Sequence, residues 1–130
     1  MNHALPDAND ARLAQYPDYA RRALLEIRSV FYAVADGESQ IGAIEESLKW
    51  NQLAFRPKKT GTTLRIGWSE KLPNVVSIFV PCSTTIVEEF RTSHPEFDSY
   101  GDREFRFVID EIDDDAVRTI AQRAFTYFQS

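Results

Sequence analysis

Between positions 46 and 68 the chain gathers residues suited to binding anions and flat molecules: Glu46, Lys49, Trp50, Lys58, Lys59, Arg65 and Trp68. A guanidinium holds a carboxylate or phosphate through two parallel hydrogen bonds, and an indole beside it offers a stacking surface. Lys58 and Lys59 precede Arg65 in a predicted loop, so these cations converge if the loop lies against the open face of a sheet. Arg106, on a later strand, joins them if the strands are neighbours. The chemistry is that of a site for a small anionic ligand or a protein partner. The competing reading makes the two lysines a solvated hairpin tip and Trp68 a core residue, the commoner fate of such side chains.

Cys82 is the one cysteine, and it stands between a predicted strand and a predicted helix, a position where helix N-termini activate thiols. A thiol-dependent enzyme also needs a histidine beside the sulfur. The two histidines are His3, near the start of the chain, and His94, at the far end of the helix that Cys82 precedes. The alternative is a small apolar residue packed under that helix.

The acidic run Asp110, Glu111, Asp113, Asp114 and Asp115 offers oxygen ligands to hard cations such as ferrous iron or calcium. It lacks the glycine and terminal glutamate of a calcium loop, and the same residues suit a capped, dipole-matched helix start. Glu45 falls on the apolar side of a predicted helix, where partial burial would suit a base. No phosphate-binding glycine loop, zinc-type Cys/His spacing or nucleophile elbow occurs. The expectation is a binding module with no catalytic residue, no metal and no cofactor.

Composition narrows the partners. A chain of 130 residues with 43% hydrophobic content fits one domain with its own core. A formal charge of −5 disfavours nucleic acid, whose binders usually present a basic domain. The first residues show no signal-peptide pattern, and no apolar run approaches the ~20 residues of a membrane span. With a single cysteine, these features predict a cytoplasmic protein with neither nucleic-acid nor membrane partners.

These residues need elements to position them. Residues 1–15 read as a polar tail or a short leading helix, and 16–130 as a single α+β domain. Ala20, Ala23, Leu24, Ile27, Val30, Phe31 and Val34 mark a helix that opens at Pro17 and ends at Gly37. A second helix is predicted over 39–49, with Ile41, Ile44, Glu45 and Leu48 on one face. Strands are predicted over 52–56, 63–69 and 74–80, the last central because both its faces are mostly apolar. A helix follows Thr85 and Glu88, whose spacing is that of a capping box, and stops before Pro95. Strands over 97–100 and 103–109 precede a last helix from about Asp113, with Val117, Ile120, Ala121, Ala124, Phe125 and Phe128 as its stripe. The result is a mostly antiparallel five-stranded sheet, covered on one face by the first and last long helices. Arg65, Arg106 and Arg56 then belong to the other face.

The stretch Ile44-Glu45-Glu46-Ser47-Leu48-Lys49-Trp50-Asn51-Gln52-Leu53-Ala54-Phe55, followed by Lys59 to Trp68, resembles the YdhG-like family of bacterial domains. Cys82 after a strand, Val87-Glu88-Glu89-Phe90-Arg91, and Asp102-Arg103 extend the resemblance over about 16–128. It implies a helix-flanked antiparallel sheet of frataxin-like shape. Some relatives carry the label iron chaperone, so the resemblance adds iron handling as an alternative function. The acidic ridge of frataxin-like iron binders lies on the first helix; here that helix carries Arg21, Arg22 and Arg28 against Glu26.

Overall fold

The computed structural model describes residues 3–95, 99–101 and 103–128. Helix α1 (Asp7–Leu13) leads into the long α2 (Asp18–Gly37), which Pro17 caps. Strands β1 (Ile44–Lys49), β2 (Gln52–Pro57), β3 (Leu64–Trp68) and β4 (Val75–Phe79) follow in meander. Helix α3 (Ile86–Ser93), the two-residue β5 (Ser99–Tyr100), β6 (Glu104–Val108), a 3-10 turn (Ile109–Glu111) and α4 (Asp114–Phe125) complete the chain. The sheet is antiparallel throughout, in the order β1-β2-β3-β4-β6-β5. Five of its strands have five or six residues, and β5 is a short addition at one edge. This is the α+β class with an antiparallel, helix-covered sheet that the patterning predicts, and β4 is central. The predicted strand over 97–100 lies partly outside the described residues.

Alternation decides the two faces. Leu53, Phe55, Leu64, Ile66, Val76, Ile78, Phe105 and Phe107 are buried and belong to one core with the stripes of α2 and α4. Phe31 of α2 packs edge-on against both Phe55 and Phe125, tying the sheet to both helices. The N-terminal residues do not trail as a tail: α1 packs on β1 and β2, with Leu13 and Asn9 buried.

One predicted element is overturned. Residues 39–49 are not a helix: Gly42 has a φ of +72°, and Ile44–Lys49 pair with β2 as strand β1. Ile41, Ile44 and Leu48 satisfy a helical spacing, yet Ile44, Glu46 and Leu48 in truth alternate onto the covered face of the sheet. Glu45 therefore lies exposed on the open face, paired with Arg56 at 3.4 Å, and is not a partly buried base.

Two helix ends also differ. Thr85 caps α3 without bonding the backbone; its hydroxyl donates to Glu89 at 2.6 Å, so Thr85 and Glu88 form no capping box. Asp113 does cap α4, accepting from the Ala116 N–H at 3.1 Å. Phe128 is 69% exposed because it lies beyond the end of α4.

Candidate functional site

The uncovered face of the sheet runs in rows set by the register. One row is Ala54–Arg65–Phe79–Glu104, and the next carries Gly67, Ser77 and Arg106. Arg65 sits near the middle. Its Nη1 donates to Gln52 Oε1 at 3.0 Å, and its guanidinium lies 5.5 Å from the Phe79 ring centroid. Among the described residues no carboxylate is within ion-pair distance of Arg65. Burial, and after it the nearby charge of Arg103, pull the Arg65 pKa below its ordinary value. A half-buried guanidinium next to a second cation, with a neutral amide as its bonding partner, has the chemistry to bond an anion.

Arg106 is in a different state although it shares this face. Its Nε donates to Glu104 Oε2 at 3.0 Å, and the Ser77 hydroxyl donates to the same oxygen at 2.8 Å. β4 lies between Arg65 and Arg106, so the two are roughly 10 Å apart along the hydrogen-bonding direction.

The remaining predicted residues do not converge on Arg65. Glu46 points to the covered face, where it is paired with Arg28 and accepts the Tyr32 hydroxyl. Lys49 is exposed at the top of β1, beside the turn that carries Trp50. Trp50 is 86% exposed in the β1–β2 turn. Lys58 and Lys59 are exposed past the opposite end of β2, where the Lys59 methylenes lie over Gly42. The length of β2 thus separates Lys59 from Trp50, roughly 20 Å. Trp68 is half-buried on the covered face, edge-on to Tyr16 and Tyr19, and its indole N–H donates to the Pro73 carbonyl at 2.9 Å.

The other candidate chemistries are dispersed. Cys82 is an exposed free thiol in the loop before α3. His94 is at the far end of that helix, stacked on Phe90 at 4.5 Å, while His3 stacks on Tyr32 and bonds Asp36 at 3.0 Å. In the acidic run, Asp113 is a helix cap, Asp115 pairs with Arg118 at 3.2 Å, and Asp114 lies beside Glu26. Among the described residues no group of three or more His, Cys, Asp or Glu side chains is placed to hold a metal ion. Among them, too, no helix is long and apolar enough to cross a membrane.

Gln52, Phe79 and Arg103 are the site residues that the sequence reading passes over. Phe79 lies within a mostly apolar run that continues to Val80, and Arg103 follows a turn, so neither shows by pattern which neighbour it meets. Comparisons with protein-family models, curated proteins and solved structures return no match to this chain.

Proposed function

We propose that the chain, on its resemblance a YdhG-like domain, is a small binding module whose open sheet face takes a carboxylate or phosphate group at Arg65. The observation that carries this reading is the bonding state of Arg65: it is half-buried, held by Gln52 and Phe79, and has no carboxylate partner among the described residues. Arg28 has Glu46 and Arg106 has Glu104 as its acid. Arg12, half-buried without a described acid, spends its guanidinium on two neutral acceptors, the Asn51 carbonyl at 2.9 Å and Gln15 Oε1 at 2.8 Å, where Arg65 has Gln52 alone among the described residues. An incoming anion would bond the free edge of the guanidinium while Gln52 and Phe79 fix its plane, and Arg103 would add charge. Among the described residues the acidic run and Cys82 gather no comparable set of groups, so the anion-binding reading is preferred to iron handling and thiol chemistry.

Titration with citrate and with inorganic phosphate tests the reading. A ligand at ~100 times its dissociation constant adds ~2.7 kcal/mol to stability, a rise of several degrees in Tm. The rise is expected in the natural chain and in Arg118→Met, and absent in Arg65→Met. A rise that survives in Arg65→Met, or no rise with either anion, overturns the proposal.

A further inference from the structure

Alongside Arg65 the open face carries a groove of about 100 Å³, floored by Gly67 and Ser77 and walled by Gln52, Leu72, Val75 and Phe79. Glu104 is also on its lining, its carboxylate already held by Arg106 and Ser77. Sites that enclose a whole small molecule are larger, ~300 Å³ or more. This groove has room for one side chain. Gly67 keeps its floor open: even an added Cβ there would only touch the Gln52 side chain, at 3.4 Å. Arg65 bonds one wall, Gln52, and lies over another, Phe79, so a cation flanks a side-chain-sized apolar slot.

Above Gln52 stands Trp50. It and Asn51 form a two-residue turn with φ of 53° and 62°, the left-handed pair that normally selects Asn-Gly. A bulky side chain in this conformation is strained, and this one is 86% exposed. Arg12 steadies the turn by donating to the Asn51 carbonyl at 2.9 Å, and among the described residues the indole has no hydrogen-bond or ring partner. Backbone preference and solvation are both overridden at one residue. Such conflicts cluster where function demands them, and an exposed tryptophan is a common anchor of protein interfaces.

We propose that the occupant of this face is an acidic segment of a partner protein. Its carboxylate pairs with Arg65, an adjoining apolar side chain seats over Gly67 against Leu72, and Trp50 packs on its flank. The proposal rests on the anion-binding reading above and deepens it, because the groove is too small to enclose a metabolite and Arg65 and Arg103, neither of which has an ion pair among the described residues, complement acidic residues.

The full chain is titrated with citrate, with polyglutamate and with a random copolymer of glutamate and tyrosine, followed by amide NMR shifts and biolayer interferometry. The copolymer is expected to move the Gly67, Leu72 and Val75 amides and to bind roughly tenfold more tightly per glutamate than polyglutamate. Arg65→Met and Leu72→Ser should each weaken the copolymer by roughly fivefold or more. Trp50→Gly should weaken it too while raising Tm, a split that a merely structural tryptophan does not give. Equal binding of copolymer and citrate, full copolymer binding by both Leu72→Ser and Trp50→Gly, or self-association that perturbs the same amides without any probe each overturns the proposal. Citrate binding that needs Arg65, with no copolymer binding, overturns it and leaves the anion site standing. If no probe moves these amides, both readings fall.

Discussion

Arg28 and Glu46 meet in a bidentate pair between α2 and the edge strand β1, with Nη2–Oε1 at 2.6 Å and Nε–Oε2 at 3.0 Å. Only 13% of the Arg28 side chain and 3% of the Glu46 side chain is exposed. The Tyr32 hydroxyl donates to the same carboxylate, and Arg28 also donates to the carbonyls of His3 and Ala4, strapping the N-terminal segment to α2. Burial, then the bond to Glu46, raises the Tyr32 pKa; for Arg28 burial acts downward and Glu46 overrides it, leaving a net rise. Removing one partner leaves the other charge buried and unpaired. Glu46→Ala is therefore expected to destabilise the fold by about 3–5 kcal/mol in guanidinium unfolding, whereas the apolar double replacement Arg28→Met with Glu46→Leu should come close to neutral. A Glu46→Ala loss below about 1 kcal/mol would show that the pair is not desolvated.

Gly61 has a different kind of necessity. A Cβ there would lie 2.5 Å from backbone atoms of Phe125, and the contact is fixed on both sides. Thr62 N–H donates to the Ala124 carbonyl at 2.9 Å, and the Thr60 hydroxyl donates to the Phe125 carbonyl at 3.0 Å. Gly61→Ala should therefore push the β2–β3 loop off α4 and cost about 3 kcal/mol, the upper part of the usual overpacking range. Gly37, which has nothing within 4 Å of an added Cβ, provides the control: Gly37→Ala should change stability by less than about 1 kcal/mol.

These two contacts also show what the sequence could and could not disclose. The stripes of α2 and α4 and the alternation of β3 and β6 are local, so helix and strand, the covered face and the positions of Arg65 and Arg106 on the open face follow from spacing alone. β1 was hidden because its covered face includes Glu46, a carboxylate made tolerable by an arginine 18 residues earlier. No periodicity records such a partner. The Trp50-Asn51 turn was hidden as well, since it lacks the glycine that usually announces it. Once β1 is a strand, Trp50 and Lys59 fall at opposite ends of β2, so the two cannot meet with Arg65 in one small-ligand site. What remains of the site depends on which strands are neighbours, which brings Gln52, Phe79 and Arg103 to Arg65.

The strain at Trp50 makes a stability prediction that is independent of any ligand. A left-handed backbone costs a non-glycine residue about 1–2 kcal/mol, and glycine loses about 0.5–1 kcal/mol more chain entropy on folding. Trp50→Gly should therefore stabilise the domain by about 0.5–1 kcal/mol, visible as a higher midpoint in urea with an unchanged slope. A destabilised variant would mean that the indole packs on the fold in solution, and the tip would then not be an open anchor.

Glu26 on α2 and Asp114 at the start of α4 are two acids side by side. Partial burial first, and then Asp114, raise the Glu26 pKa above its ordinary value. A carboxyl whose pKa is higher folded than unfolded binds its proton more tightly in the fold, so its ionisation opposes folding. The penalty is present in full above the raised folded value and fades as pH falls through it towards the unfolded value. Because Glu26 is accessible to solvent, the effect is modest and salt-sensitive. Glu26→Gln removes the charge without changing the shape. It should raise Tm at about pH 7 in low salt, and the gain should shrink to nothing at about pH 3, where the natural side chain is itself protonated. Asp114→Asn should reproduce the direction only if it leaves the Asp113 cap intact, which the Ala116 amide reports through its protection from hydrogen exchange. A Glu26→Gln gain that persists unchanged at low pH would assign the effect to helix propensity and not to the meeting of the two acids.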